Sequence, residues 1–346
     1  MGHAKQPNSA NTSCDFAVSV IVPFFNRSDL LEHCLASIAC AIDEYCEVIL
    51  VDDGSTDCSS EVAKQWSEGI SNARYIRTAN RGVASARNTG IDAAAGEDLF
   101  FVDSDDLISP NAISLLLAKA RQTGAQIVSG ARANFSSEPH MSVSADINAT
   151  CTELSALQLI QKGIGAPARL FNRRLFADYP ERFPEGMWAE DAAYVPFLAS
   201  IANGIVFVDE VIYHIRKGDG QNLTASKTTY YDLPRAIRLL SDRLNSDVLF
   251  SYVAGVSLNE CMQYFASCKE ISNKEFRRFM RCPEFMEIVR IFSDRFSLSY
   301  LFNVNLKRRP YILAIFLAGR GFNPILWVFA RRRLGSVLKF SLGSRV

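Results

Sequence analysis

Five short apolar runs alternate with stretches of helical spacing between Ala17 and Gly130. Val18-Ser19-Val20-Ile21-Val22 stops at Pro23, while Val48 to Val51 and Leu99 to Val102 each run into acidic residues; shorter runs lie at Tyr75-Ile76 and Ile127-Val128. Uninterrupted runs of Val, Ile, Leu and Phe predict strands buried on both faces. Between them, Leu30, Leu31, Cys34, Leu35 and Ile38 share one face of a helix expected from about Asp29, with Asp29 as its cap and Glu32 three residues on. Ala84 to Ala95 predicts a second helix stopped by Gly96, and Ile113 to Ala120 a third, entered through Ser109-Pro110 and left through Gly124. This alternation predicts an α/β domain: a mostly parallel, Rossmann-like central sheet flanked by helices, whose strands end along one shared edge.

Beyond Ala131 the pattern loosens. A polar stretch reaches Thr150, a helix is expected from about Glu153 to Gln161, and a Pro-containing segment runs through Phe183-Pro184-Glu185-Gly186. Trp188-Ala189-Glu190-Asp191 opens a further helical run to about Ala199, and Ile205 to Val208 and Val211 to Ile215 read as two short apolar elements. Gly, Asp and Asn in Lys217 to Asn222 predict a mobile loop. The expected organisation is a disordered segment over 1–15, an α/β domain over 16–225 and a helical C-terminal extension over 226–346, where Ile237, Leu240, Leu244, Tyr252 and Val256 recur at helical spacing.

With 346 residues, 48% of them hydrophobic, the chain can bury a sizeable core, which excludes disorder throughout. Its 37 basic and 37 acidic residues cancel, but unevenly: residues 307 to 346 hold nine Lys or Arg and no acid. Lys307-Arg308-Arg309 and Arg331-Arg332-Arg333 bracket an apolar stretch broken by Arg320, Asn323 and Pro324. A central Arg costs a spanning helix at least about 2.5 kcal/mol, so the tail predicts peripheral contact with an anionic membrane surface instead. Packing of the same stretch on the rest of the protein is the alternative. The arginines come with no nucleic-acid motif, and nucleic acid is not an expected partner. Nine cysteines without a C-x-x-C, and four scattered histidines, predict free buried thiols in a reducing cytosol rather than disulfides or a zinc site. The first fifteen residues are polar and predict no signal peptide, so the expected location is cytoplasmic, on the inner face of a membrane.

The candidate chemistry lies where apolar runs meet acids: Asp52-Asp53-Gly54-Ser55 and Asp103-Ser104-Asp105-Asp106. Open α/β sheets bind ligands at the C-terminal ends of their strands. An Asp-x-Asp pair there can set one carboxylate on a hard divalent ion and another on a sugar hydroxyl. Magnesium binds through one or two carboxylates plus phosphates, so so sparse a set implies a diphosphate ligand. Asp53 can accept hydrogen bonds from a base while Gly54 lets the backbone approach. Taken singly, both segments also suit acidic loops and Asx turns that cap helices.

Together with Val18 to Asn26 (V-S-V-I-V-P-F-F-N), Val51 to Asp57 (V-D-D-G-S-T-D), Asn80-Arg81-Gly82, Ala86-Arg87-Asn88-Thr89-Gly90, Pro110 and Phe183 to Asp191 (F-P-E-G-M-W-A-E-D), they resemble the inverting family 2 glycosyltransferases of GT-A fold over roughly residues 17 to 225. The resemblance implies that Pro23, Phe25 and Asn26 line a nucleotide pocket, that Asp53 reads the base, and that Asn80 and Arg87 also contact the nucleotide. It places Asp103 and Ser104 at the ribose or donor sugar, Asp105 on a Mg2+ or Mn2+ ion, and Asp191 as general base. Tyr213-His214-Ile215-Arg216 resembles the strand before the mobile loop, with His214 a further metal ligand and Arg216 a partner for diphosphate. Phe25 stands where many relatives have Tyr, and Arg169 where Lys is frequent. The implied reaction moves a sugar from a nucleotide diphosphate donor, UDP being the expected carrier, to a hydroxyl of a glycan or lipid-linked acceptor.

Residue by residue, other roles stay open. Arg87 and Asn88 suit a helix face paired with Asp92, Glu190 and Asp191 suit the first turn of a helix, and His214 suits a structural hydrogen bond. A sugar nucleotidyltransferase or a catalytically silent sugar-nucleotide-binding protein would share the acidic crevice.

Overall fold

The structure, a computed structural model, describes residues 16–136, 149–179, 182–187, 189–217, 227–267 and 283–296. The apolar runs fold into one sheet. Strand β1 (Val18–Phe24) lies between β2 (Cys46–Asp52) and β4 (Asp98–Phe101), with β3 (Ala73–Arg77) beyond β2, and these four run parallel. Every residue of β1, β2 and β4 is buried, so both faces must be covered. On one, Val20, Val22, Val48 and Leu50 pack with Leu31 and Leu35 of α1 (Ser28–Ala39) and Leu116 of α4 (Ala112–Thr123). On the other, Ile21, Ile49, Leu99 and Phe101 pack with Ile91 of α3 (Val83–Ala93). Each such Leu, Ile or Phe contributes about 1.5–3 kcal/mol by leaving water. Helix α3 sits close because Gly90 faces the sheet: a Cβ there would lie 2.3 Å from Ile21 Cγ2.

Past β4 the sheet is mixed, which the apolar runs alone did not indicate. β8 (Arg169–Asn172) inserts antiparallel between β4 and β6 (Ile127–Phe135), and β9 (Ile205–Arg216) pairs parallel to β6. The two apolar stretches expected around Asp209-Glu210 are one strand, because a register shift against Gly130 and Ala131 absorbs the polar pair as a bulge. Two short strands complete the sheet on β9, β5 (Leu107–Ile108) and β7 (Cys151–Glu153), both antiparallel to it. Glu153 therefore belongs to a strand, and helix α5 (Ala156–Gln161) starts later, behind a Ser155–Gln158 capping box. Asp29 does not cap α1 either. It lies in the first turn, and the end is capped from the next loop: Ser28 N donates to Asp57 Oδ2 and Arg27 N to Ser59 Oγ. Gly124 ends α4 in the left-handed conformation, as expected.

A short helix, α6 (Arg174–Ala177), follows β8, and α7 (Glu190–Ile201) lies against the Ile21 face. The C-terminal helices α8 (Lys227–Arg243), α9 (Asp247–Ser267) and α10 (Pro283–Asp294) share that core through Ile237, Leu240, Leu244, Val253 and Phe292. Residues 1–15, the boundary at Ser226, residues 218 to 222 of the expected mobile loop and the basic tail lie outside the described residues. Among the described residues no helix is long and apolar enough to cross a membrane. Cys34, Cys40, Cys46, Cys58 and Cys151 are free thiols; Cys34 and Cys46 are buried, whereas Cys40 and Cys58 are exposed.

Candidate active site

Where β1 and β2 end, the acidic pair divides its labour. Asp52 is fully buried and accepts from Ser60 Oγ (2.5 Å), Tyr75 Oη (2.7 Å), Ser55 N (2.7 Å) and Arg77 Nη1 (3.2 Å). Burial pushes its pKa up, but these donors outweigh it and hold the carboxyl below the ordinary range. Asp52 is thus a structural anchor. Asp53 accepts from the backbone of Arg81 (2.9 Å) and Gly82 (2.8 Å), which ties the end of β2 to the start of α3. Gly54 makes the turn at φ +80°, and a Cβ there would sit 2.9 Å from the backbone nitrogen of Asn80, so Asn80 lies directly against this loop.

The opposite wall is the loop after β1. Asn26, at φ 50°, accepts from Thr56 N (2.8 Å) and donates from its own backbone to Ser55 Oγ (3.1 Å), bracketing the two loops together. Phe25 presents its ring to solvent, 39% exposed. Pro23 is buried inside β1 opposite Val51.

From α3, Arg87 reaches three carboxylates. Its Nη2 donates to Asp103 (3.0 Å), and its Nη1 donates to Glu190 (2.6 Å) and Asp191 (3.0 Å). The guanidinium is buried, and although burial disfavours its charge, Asp191, Asp103 and Glu190 hold its pKa above the ordinary value. Asn88 grips the same segment, exchanging hydrogen bonds with the backbone of Phe183 (2.9 and 3.1 Å). The alternative pairing with Asp92 is not formed: Asp92 faces Arg182 at 3.6 Å. Asp191 stands in the first turn of α7 and also accepts from Ala166 N (3.2 Å). Burial raises its proton affinity, Arg87 lowers it and Asp103 raises it, with a net upward shift. Glu190, pushed up to about 8 chiefly by burial, is a member of this cluster that the sequence signalled only by its place beside Asp191.

The turn after β4 carries the remaining acids. Asp103 N donates to Tyr213 Oη (3.0 Å). Ser104 is buried, and Asp106, also buried, accepts from Arg216 N (2.8 Å). Burial, then Asp103 and Asp105, push Asp106 up to about 8. The Asp105 carboxylate lies 4.0 Å from Arg27 Nη2, and its carbonyl accepts from Arg216 Nε (3.0 Å), whose guanidinium covers the Phe135 ring at 4.6 Å. His214 Nε2 is 3.1 Å from Ser109 Oγ, and burial lowers its pKa. The Asp103 to Asp106 turn sets three carboxylates within four residues, an oxygen donor set whose chemistry fits a hard divalent cation. Among the described residues no three His, Cys, Asp or Glu side chains are arranged to hold a metal alone.

Residues 19–177 match the model of the family described as Glycosyl transferase family 2. Glycosyltransferase GlyA of Streptococcus pneumoniae is 31% identical over 223 residues, 59% of this chain and 31% of its own length. Glycosyltransferase GlyG of the same organism is 29% identical over 249 residues, 67% of this chain and 81% of its own. A GalNAc(5)-diNAcBac-PP-undecaprenol beta-1,3-glucosyltransferase of Campylobacter jejuni is 28% identical over 216 residues, 62% of this chain and 69% of its own. The chain thus spans under a third of GlyA but most of GlyG. Among solved structures, residues 1–349 of S. aureus TarS in complex with UDP-GlcNAc superimpose with a TM-score of 0.68 at 22% identity, over 88% of this chain and 89% of that one. This likeness gives the sheet and its helices as the GT-A fold. Motifs, fold and relatives agree, and it is over residues 19–177 that the chain matches glycosyl transferase family 2.

Proposed function

We propose that this glycosyltransferase is inverting and metal-dependent, and that it moves a sugar from a UDP-linked donor to a hydroxyl of a glycan or lipid-linked acceptor. The observation that carries the reading is the Arg87 clamp, which joins Asp103 to Asp191 through a single guanidinium. A general base is most effective when its pKa approaches the working pH, and the burial that raises Asp191 moves it in that direction. Asp191 takes the proton of the acceptor hydroxyl as that oxygen bonds to the anomeric carbon. The bond from this carbon to the nucleoside diphosphate breaks on the opposite side, so the anomer inverts. Arg87 holds Asp191 in place through that change. Asp53 and the loop of Phe25 and Asn26 face the base, and Arg216 faces the diphosphate. Asp105, with His214 as a further ligand, would hold the divalent cation, which would offset charge on the leaving diphosphate, while Asp103 meets the ribose or donor sugar.

UDP as carrier is supported by the UDP-GlcNAc complex of TarS, and a lipid-linked acceptor by the undecaprenol relative and by the basic residues after 307. Incubating the full chain with UDP-, GDP- and TDP-sugars, with and without Mg2+ or Mn2+, tests the proposal. The expected result is metal-dependent release of UDP; indifference to metal, or release from no UDP-sugar, overturns it.

A further inference from the structure

Beside Asp191 lies a turn whose charge is unbalanced. Residues 162 to 166 join α5 to β8, and two arginines are lodged against them. Arg169 is 1% exposed; its Nη1 and Nη2 donate to the carbonyls of Gly165 and Gly163, and its Nε has no partner. Arg132 of β6 donates through Nη2 to the Lys162 carbonyl (2.6 Å). Neither guanidinium has an ion-pair partner among the described residues. Burial, then the neighbouring Arg132, bring Arg169 down to about 9. Asp191 attracts both arginines but already pairs with Arg87. Buried cations in proteins are ordinarily paired, because an unpaired one costs several kcal/mol. Asp106 also attracts Arg132, yet no carboxylate of the described residues pairs directly with either guanidinium.

The turn leaves room for the Arg132 guanidinium. Gly163 has φ +141°, and a Cβ on it would fall 1.7 Å from Arg132 Nη2, so only glycine leaves room for the guanidinium. Above Gly165, a Cβ position lies 3.4 Å from Asp191 Oδ2 and 3.7 Å from Arg132 Nη1. One point is therefore within reach of both the proposed base and the half-buried Arg132 fork.

We propose that this turn is the acceptor-side anion site: the acceptor offers its reacting hydroxyl to Asp191 and, next to that hydroxyl, a phosphate or carboxylate to Arg132. The inference deepens the proposed function and rests on Asp191 being the base. Arg169 acts as a positioning residue, holding the two glycine carbonyls and adding positive potential behind the fork. A guanidinium meets either oxyanion through paired hydrogen bonds, so both share the chemistry that Arg132 recognises.

The test uses the full chain saturated with UDP and Mg2+, titrated calorimetrically with glycerol 3-phosphate, with glucuronate and with neutral methyl glucoside. The expected result is that at least one anion binds about tenfold or more tighter than the neutral sugar, that R132M abolishes the preference and that R132K retains part of it. A tighter phosphate identifies a phosphorylated acceptor, and a tighter glucuronate an acidic sugar. Equal binding of charged and neutral probes, no binding of either anion, or a preference that survives R132M overturns the proposal. Should R132M fail to fold, R132K and the wild-type preference decide the same question. UDP is titrated first and alone: a wild-type protein that does not bind UDP sinks the donor reading, whereas the anion preference concerns this turn only.

Discussion

The parallel half of the sheet ends in carboxylates, Asp52, Asp53, Asp103, Asp105 and Asp106, whereas the mixed half, β6, β8 and β9, brings Arg132, Arg169 and Arg216 to the same edge. The halves also differ in how they are held. Loops beside the parallel strands satisfy their own acids: Ser55 and Ser60 serve Asp52, and the start of α3 serves Asp53. The mixed half is assembled across the chain, and its arginines donate to main-chain carbonyls rather than to paired acids. Arg87 is the joint, reaching 16 residues along the chain to Asp103 and more than 100 to Glu190 and Asp191. The lesson is that the acidic loops of the proposed donor site can be built from local motifs, while the position of the proposed base depends on one long-range ionic contact.

Replacing Asp191 is the most severe way to break this division. General-base catalysis is worth about a hundred- to ten-thousandfold, so Asp191→Asn is expected to lower sugar transfer by that factor while UDP affinity, set on the parallel side, changes little. Transfer rates and UDP titrations on the same preparation check both halves of the statement. A folded variant with near-normal transfer removes Asp191 from the mechanism.

Cutting the joint comes next. Arg87→Met leaves Glu190 and Asp191 without their shared cation, and breaking a buried ion pair from one side costs about 3–5 kcal/mol. Denaturant unfolding should register that loss. Arg87→Lys keeps the charge but cannot fork to three carboxylates, and is expected to fall between Met and wild type. If Arg87→Met matched wild type in stability, the two halves would be coupled by packing rather than by charge.

The same contrast explains what was legible beforehand. Strands β1, β2 and β4, and the acids that follow β2 and β4, were legible as apolar runs, because burial on both faces leaves little room for other residues, whereas the partly exposed β3 showed only as Tyr75-Ile76. The Phe183 to Asp191 segment was placed by its motif, yet nothing in it told that Arg87 would meet Glu190 as well as Asp191. Strand β8 was missed: Arg169-Leu170-Phe171-Asn172 is four residues long, begins with a charged side chain, and becomes a strand only because β4 and β6 supply hydrogen bonds on both sides. Arg132 carried no signal, since its significance lies in Gly163 and Asp191, which stand far from it in sequence and adjacent to it in space. Periodicity reports burial, and motifs report chemistry that is local. Charge balance across distant strands is visible to neither.

The finest probe of the joint is its proton count. Glu190 Oε1 receives Arg87 at 2.6 Å, but Oε2 is buried with no hydrogen-bond partner, an arrangement suited to a neutral carboxyl. Burial, opposed by Arg87 and assisted by Asp191, pushes Glu190 from an ordinary 4.5 up to about 8. Between those values the folded protein holds a proton that the unfolded chain has lost. The stability it contributes is therefore complete below pH 4.5, declines as pH rises through the interval, and is gone above about pH 8. Glu190→Gln cannot ionise, so its melting temperature is expected to fall less than that of wild type over the same interval. Parallel curves for the two proteins would mean that Glu190 is ionised beside Asp191 throughout, with Arg87 carrying both charges. The joint would then bear one more negative charge, and the positive charge of the arginine-rich half would be partly offset by it.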